Sequence, residues 1–542
     1  MRVNPFYEVL SMFFNGLLNR TLKGVVAFAI AIAFLLSAVT PPVLAAESGF
    51  DWEEEYAYTL GVQAFIYAYP WAYMPVAYWT RLKDTNGERG EEGEVNKFFH
   101  YKKLRDDTHT AGGGPNNDTI YSHAVIYLGD EPLILKVPEM DRYYSMELTD
   151  YRGDNFAYVG KRATGLEAGN YALIGPNWEG ELPEGVKRIE GSSSTPWGYI
   201  AGRTLVTDTE RDSGDLEEIY EIQKGYKLTP LSQFPDFDVI PSGPELWKPY
   251  LYEASGNYPP SDDPLAYWKN INHAMGENPP DPDDNSLLRL FAEIGIGPNL
   301  DVDLQSDSIK RGLERASTDG LRIIDDAFAT GYAQKQVNGW NYPPPEIGRP
   351  SASHEWLVRA IQAQTGLVAH DPIEAIYMNI SLDGDGNRLS GENLYQLRFE
   401  EGELPEVNEF WSITMYNSQY NLVSNEIDRF SVGDRSGMNT AEDGSLTISI
   451  QHDRPSKCPS KDEDPSGDEC PNWLPAPEGN FLMFMRLYLP GYPALSQWWE
   501  PPALTKLGPD GDALSAQAVE DVAQEDFWDT IIQQVEKRYS TK

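Results

Sequence analysis

The chain has 542 residues, with 43 basic against 84 acidic side chains and a formal net charge of −41. A charge of that size repels phosphate backbones and anionic lipid surfaces, which argues against a nucleic-acid partner. Hydrophobic content of 41% and aromatic content of 12% supply packed cores and exclude global disorder.

Residues 25–39 are almost wholly apolar, with Arg20 and Lys23 before them and Pro41, Pro42 and Val43-Leu44-Ala45-Ala46 after them. A basic stretch, an apolar core and small residues at a cut site are the three parts of a secretory signal. The core is shorter than the roughly 20 residues of a spanning helix. The expectation is a signal peptide over 1–45, cleaved after Ala45. The protein is then exported to the periplasm or secreted, with no stable membrane insertion after cleavage. An uncleaved anchor is the alternative. Removing residues 1–45 takes away three basic residues and one acidic one and leaves −43. No cysteine lies near the cut, so lipid attachment is not expected there.

Residues 46–240 read as a helix followed by a β-sandwich. Asp51-Trp52-Glu53-Glu54 resembles a capping box, and Leu60, Ala64, Tyr67, Trp71 and Met74 then recur at helical spacing. Pro70 and Pro75 should kink or end that helix, ahead of a polar loop at 83–97. From about 115 to 210, short runs such as 124–128, 133–137, 143–148 and 171–174 are bounded by Gly, Pro, Asp and Asn, the texture of a sandwich. A short helix is expected from Leu216 to Gly225.

Residues 241–370 read as a helical domain. Asp263-Pro264 opens a helix carrying Leu265, Trp268, Ile271 and Met275. Ser286 to Ile294, then a stripe of Ile309, Leu313, Ala316, Gly320, Ile323 and Ala327, then Ser353 to Thr365, supply three more. Over 371–508 strand texture returns at 375–381, 394–399, 410–416, 446–450 and 481–488, as in a jelly-roll β domain. Phe527, Trp528, Ile531, Ile532 and Val535 suggest a helical tail within 509–542. The fold class is mainly β with α: an N-terminal β-sandwich, a helical middle and a C-terminal jelly-roll-like β-sandwich.

Pro115-Asn-Asn-Asp-Thr-Ile-Tyr-Ser122, Arg142-Tyr-Tyr-Ser145 with Asp150, Gly160 with Gly165, Gly175-Pro176 and Gly202-Arg203-Thr204 resemble the family called domain of unknown function 1254. Further on, Phe410–Tyr416, Asn425, Arg429–Arg435, Asp443-Gly-Ser445, Asn472–Pro477 and Arg486-Leu-Tyr488 resemble its usual partner, domain of unknown function 1214. Together they span most of the chain after residue 45. The resemblance implies two β domains around a helical middle, commonly in exported bacterial proteins. It implies no activity and no catalytic set.

No Gly-x-Ser-x-Gly, His-Glu-x-x-His, Walker or dinucleotide glycine motif is present. His354 and His370 flank a helix but do not make a metal site, and no metal or cofactor is expected. Asp383-Gly-Asp-Gly-Asn387 looks like the start of a calcium loop. Arg388 stands where that loop needs Gly and Leu394 where it needs Glu, so a turn is the better reading. Cys458 and Cys470 flank a polar segment with no apolar anchor. A disulfide there would contribute about 3 kcal/mol in the chain-entropy model.

The candidate ligand-binding residues are Asn116, Asn117, Asp118, Tyr121, Arg142, Tyr143, Asp150 and Arg203. Asn116 to Tyr121, with Thr119, could be an Asx turn entering a strand or a polar pocket floor with Asp118 as base. Arg142 with Asp150, and Arg203, could form buried ion pairs or clamp a carboxylate. Trp411, Tyr416, Arg429, Arg435 and Arg486 carry the same ambiguity. The resulting expectation is an exported cell-envelope protein that binds a small molecule, a glycan or an envelope protein. The alternative is a carboxylate-dependent hydrolase with its site near Asp118. Oligomeric state stays open.

Overall fold

The computed structural model describes residues 49–83, 92–109, 113–207, 214–239, 241–250 and 263–508. The expected signal segment, most of the expected loop at 83–97 and the expected C-terminal helix lie outside them. The chain divides after Tyr56 into a short unit and one compact unit, Ala57–Lys542. In the first, the Asp51 carboxylate accepts from the Glu54 amide at 3.3 Å, as the capping pattern requires.

The first helix, Trp52–Lys83, runs through both Pro70 and Pro75 rather than ending at them. Each proline removes one amide donor. Residues from Tyr67 to Ala72 are buried without a break, so tertiary packing rather than backbone bonding holds that stretch helical. A methyl group on Gly61 would lie 2.7 Å from Ala316 Cβ, and one on Gly320 would lie 2.6 Å from the Phe65 ring. These two glycines let helix Asp307–Ala329 lie close against the first helix. The helix Asp307–Ala329 is turned slightly from its expected face: Ile324 is fully buried, while Ile323 is 39% exposed. Helices Ala266–Glu277, Asn285–Ala292 and Trp356–Gly366 complete the helical layer.

The N-terminal sandwich has nine strands: β1 (Phe99–His100), β2 (Thr119–Tyr127), β3 (Leu133–Val137), β4 (Tyr144–Asp150), β5 (Asn155–Gly160), β6 (Gly169–Leu173), β7 (Lys187–Arg188), β8 (Trp197–Leu205) and β9 (Lys227–Pro230). They form a five-stranded sheet, β1-β2-β8-β4-β5, and a four-stranded sheet, β7-β6-β3-β9. Alternate residues of the larger sheet, including Ile126, Met146, Leu148, Val159 and Ile200, meet Leu135, Val137, Leu173 and Leu228 of the smaller one in an aliphatic core. Helix Asp215–Gly225 follows β8, close to the expected span.

The C-terminal sandwich has ten: β10 (Lys335–Val337), β11 (Trp340–Tyr342), β12 (Ala375–Ile380), β13 (Leu394–Phe399), β14 (Trp411–Asn417), β15 (Ser431–Gly433), β16 (Leu446–Gln451), β17 (Trp473–Pro475), β18 (Phe481–Tyr488) and β19 (Leu504–Leu507). Six of them order as β10-β11-β12-β18-β14-β15 and four as β17-β16-β13-β19. Its core joins Ile376, Met378, Ile413, Met415, Met483 and Met485 to Leu397, Phe399, Ile448 and Ile450. Strands β10 and β11 come from a stretch read above as helical, and precede the last long helix. The molecule is mainly β with α, as the residue patterns indicate.

Two smaller readings also find their places. Asp383 accepts from the amides of Asp385 and Asn387 at 3.0 and 2.8 Å, so 383–387 is a self-bonded turn. Cys458 and Cys470 are joined, with Cα atoms 5.5 Å apart. Arg429 donates to the carbonyls of Gly467 and Cys470 in their loop, and of Trp473 just beyond it, at 2.8 to 3.0 Å.

Candidate functional site

The strand period of two gives the larger N-terminal sheet a second face, opposite its aliphatic core. Cross-strand register sets Tyr121, Arg203 and Ser145 in one row and His123, Ala201, Glu147 and Tyr158 in the next. Further along, Val125, Trp197 and Tyr199 are covered by the first helix and its neighbours. The C-terminal six-stranded sheet has a matching outer face. There Tyr377, Arg486 and Ser412 share one row, and Asn379, Phe484 and Thr414 the next.

These two outer faces meet. Asp118, 3% exposed, accepts from Ser412 Oγ at 2.7 Å and from Arg435 Nη2 at 2.7 Å. Arg435 Nη1 donates to the Val206 carbonyl at 2.7 Å, and Tyr416 donates to the Pro115 carbonyl at 2.6 Å. Asn116 donates to the Tyr488 hydroxyl at 3.3 Å. Tyr143 donates to Glu374 at 2.7 Å, and Arg162 donates to the other oxygen of Glu374 at 2.5 Å. Tyr143, Phe410 and Tyr488 pack ring against ring, with Phe410 and Tyr488 stacked at 4.2 Å. Tyr121, Tyr377 and Phe484 keep part of their surface free within this layer.

At its centre sit Glu147 and His370, both fully buried, with Arg203. Arg203 Nη1 donates to Glu147 Oε2 at 2.6 Å and lies 2.9 Å from His370 Nε2. His370 Nδ1 is 3.2 Å from Glu147 Oε2, and Ser145 Oγ is 3.3 Å from His370 Nε2. Burial alone would push the Glu147 carboxyl up; His370 and then Arg203 outweigh it and hold the group down at about 2. Glu147 Oε1 has no hydrogen-bond partner among the described residues. Burial lowers the Arg203 guanidinium, but the charge and ring groups around it, Tyr377 and Glu147 first, carry it well above its usual value.

The sequence candidates fall into three places. Asn116, Asn117, Asp118 and Tyr121 stand at the edge of the layer. Asn116 accepts from the amides of Asp118 and Thr119 at 3.1 and 3.0 Å, the Asx turn. Asn117 donates to the Arg105 carbonyl at 2.5 Å. Tyr143 and Arg203 lie in the layer itself. Arg142 and Asp150 do not, and they do not pair. They flank β4 at opposite ends, about 20 Å or more apart along an extended strand. Arg142 is bound by Asp215 at 2.5 Å and Glu218 at 2.8 Å, while Asp150 is bound by Arg152 at 3.1 Å. Arg486 and Arg435 belong to the layer; Trp411 faces the C-terminal core, and Arg429 the disulfide loop. Among the described residues no group of His, Cys, Asp and Glu is arranged to hold a metal.

Two surface hollows lie elsewhere. One of about 350 Å³ is lined by Glu426, Arg454, Cys458 and Lys461; another of about 690 Å³ runs along residues 92–109. Neither includes Arg203 or Arg486.

Residues 95–230 match the family model "Protein of unknown function (DUF1254)" and residues 374–492 match "Protein of unknown function (DUF1214)", in that order. No curated protein matches the chain. Among solved structures, the VPA0106 protein of Vibrio parahaemolyticus is similar in fold, with a TM-score of 0.61 at 20% identity over 83% of this chain and 100% of that one. An uncharacterized protein from Burkholderia cenocepacia matches at a TM-score of 0.39 and 12% identity, over 82% of this chain and 88% of that one.

Proposed function

From a chain that joins a DUF1254 region to a DUF1214 region, we propose an exported binding protein that holds a small molecule between its two sandwiches. One observation carries the reading: the covered faces of both sandwiches are built from tyrosine, arginine and hydroxyl groups rather than aliphatic ones, and Tyr121, Tyr377 and Phe484 are left partly uncovered. An interface serving only to glue two domains is as stable or more so when it is apolar. Rings with polar edges suit a ligand that is flat on one side and hydrogen-bonding on the other.

The geometry lends the hydrolase alternative less support, because each oxygen of Asp118 already accepts a hydrogen bond, from Ser412 and from Arg435. Export rests on residues 1–45; sequencing the N-terminus of the protein recovered outside the cytoplasm tests it. A start at Ala46 supports cleavage of the signal segment, and a start at Met1 overturns cleavage in favour of the uncleaved anchor.

The binding reading is tested by thermal denaturation of the purified protein against glycans, neutral aromatic compounds and organic acids. A ligand of the folded state raises Tm. At least one class is expected to do so, and Tyr121→Ala or Tyr377→Ala is expected to abolish the shift. A panel without a shift, or a shift indifferent to both substitutions, overturns it and leaves a protein partner as the better idea.

A further inference from the structure

The hollow of about 690 Å³ along residues 92–109 has the volume of a small-molecule site, for which roughly 300–1,000 Å³ is usual. Strand β1 contributes to its wall, and the chain beyond β1 stays tied to β2 through the Tyr101 amide, which donates to the Tyr121 carbonyl at 3.0 Å. Phe98, Tyr101 and Leu104 give the hollow half-buried apolar surface. The Tyr101 ring is held in place by its neighbours. Its centre lies 6.3 Å from that of Tyr121 and 5.5 Å from that of His123, and the Arg105 guanidinium lies 4.4 Å from it.

The charge of this wall runs against that of the chain. Glu92, Glu94 and Asp106 line the hollow, and each has its own lysine: Lys83 at 2.9 Å, Lys97 at 2.8 Å and Lys103 at 3.1 Å. Lys102 also lines it and meets no carboxylate among the described residues. Its Nζ donates to Gln223 Oε1 at 2.8 Å and lies 4.9 Å from the centre of the Tyr220 ring. Burial, and then the charge of Lys224, holds the Lys102 ammonium below its usual value. Burial, and then Lys102, holds the adjacent His100 ring down at about 4. The basic groups here oppose one another, and a bound negative charge would answer them.

We propose that this hollow is a second binding site, which takes a small organic monoanion with its negative group on Lys102 and a flat apolar body against Tyr101, Phe98 and Leu104. The site is independent of the layer between the sandwiches. A chain with a net charge of −41 attracts cations at long range, so a preference for an anion has to come from these side chains. One lysine without a carboxylate suits a single negative charge. A dianion would stand near Glu92, Glu94 and Asp106 with half its charge unmet. The rings add contact area that a bare acetate cannot use.

Isothermal titration of the full protein with naphthoate tests it, with naphthamide, naphthylmethylammonium and acetate as comparators. Naphthoate is expected to bind at least about tenfold more tightly than each, as loss of a charge-assisted contact or of ring area implies. Lys102→Glu is expected to remove naphthoate binding while keeping the wild-type Tm, because the side chain is exposed. Should that variant fail to fold, Lys102→Gln is expected to weaken naphthoate about tenfold and leave naphthamide unchanged. Tyr377→Ala, in the layer between the sandwiches, is expected to leave naphthoate binding intact. Absence of naphthoate binding overturns the proposal, and so does binding of any comparator as tight as that of naphthoate. Full retention of naphthoate by a folded Lys102→Glu or Lys102→Gln overturns it as well. Loss of naphthoate in Tyr377→Ala places the ligand in the other layer and overturns this site.

Discussion

Within each sandwich the facing rows are aliphatic; between the sandwiches they are tyrosine, arginine, serine, threonine and glutamate. Strand β4 shows the contrast in adjacent residues. Met146 and Leu148 enter the N-terminal core, whereas Ser145, Glu147 and Thr149 point the other way, yet all five are fully buried. The same alternation that hides one face from water would ordinarily leave the other wet. Here a second sandwich and a helical layer cover it. Two kinds of buried surface therefore share one strand: one held by area, the other by matched charges and hydrogen bonds.

The sharpest way to break that comparison is to empty one side of it. Glu147→Ala leaves the Arg203 guanidinium buried with only His370 beside it, and should cost about 3–5 kcal/mol in urea denaturation. Met146→Ala, one residue away, opens a cavity in the aliphatic core and should cost about 3 kcal/mol. If Glu147→Ala costs nothing measurable, the charged layer is not what holds the faces together.

Acid titration separates the same two surfaces. Glu147 is held at about 2 in the folded protein against a usual 4.5. Its contribution is fully present above about 4.5 and is lost as the pH falls towards 2. Asp154 works in the opposite direction. Burial, and then the Asp150 charge, raises it from 3.8 to about 6, against the pull of Arg359. That stabilisation is present below 3.8 and lost as the pH rises through 6. Stability measured from pH 2 to 7 should therefore lose its steep acid limb in Glu147→Gln and its decline between pH 4 and 6 in Asp154→Asn. Wild-type slopes in either variant would show that other groups set the pH dependence. The smallest effect is expected from Asp118→Asn, about 1–2 kcal/mol, because Arg435 is one-fifth exposed and water can reach it once the charge is gone.

Much of the fold was legible in the residues because it depends on short-range pattern. Strand alternation, the Asx turn at Asn116 and the capping residue Asp51 all speak through neighbours within four positions. The site was legible only in part. Arg203 and Tyr143 stood out as residue types, but their partners Glu147, His370 and Glu374 did not. Ser145-Met146-Glu147-Leu148-Thr149 reads as an ordinary strand with one wet face; nothing local says that the wet face is covered. His370 is 223 residues from Glu147, so no spacing rule could join them. The ion-pair reading of Arg142 with Asp150, one of the two left open, failed for a local reason: two ends of an extended strand are too far apart to touch. Persistence of the first helix through Pro70 and Pro75 was hidden for the reverse reason, since the packing that compensates comes from helices that begin only at Ala266.

The order in which the chain visits its layers sets when each part can be finished during synthesis. Strands β10 and β11 are made before helix Trp356–Gly366, but they can join the C-terminal sheet only once β12 has followed that helix, because β12 is the strand that β11 pairs with. His370, which completes the cluster on β4 and β8, emerges from the ribosome only after both of those strands and most of the helical layer. The N-terminal sandwich can assemble its aliphatic core early, but it must wait with Glu147 and Arg203 uncovered until the later segment arrives. A fragment ending at residue 240 would keep that charged face permanently in water, and one beginning at 371 would start with β12 as a bare edge.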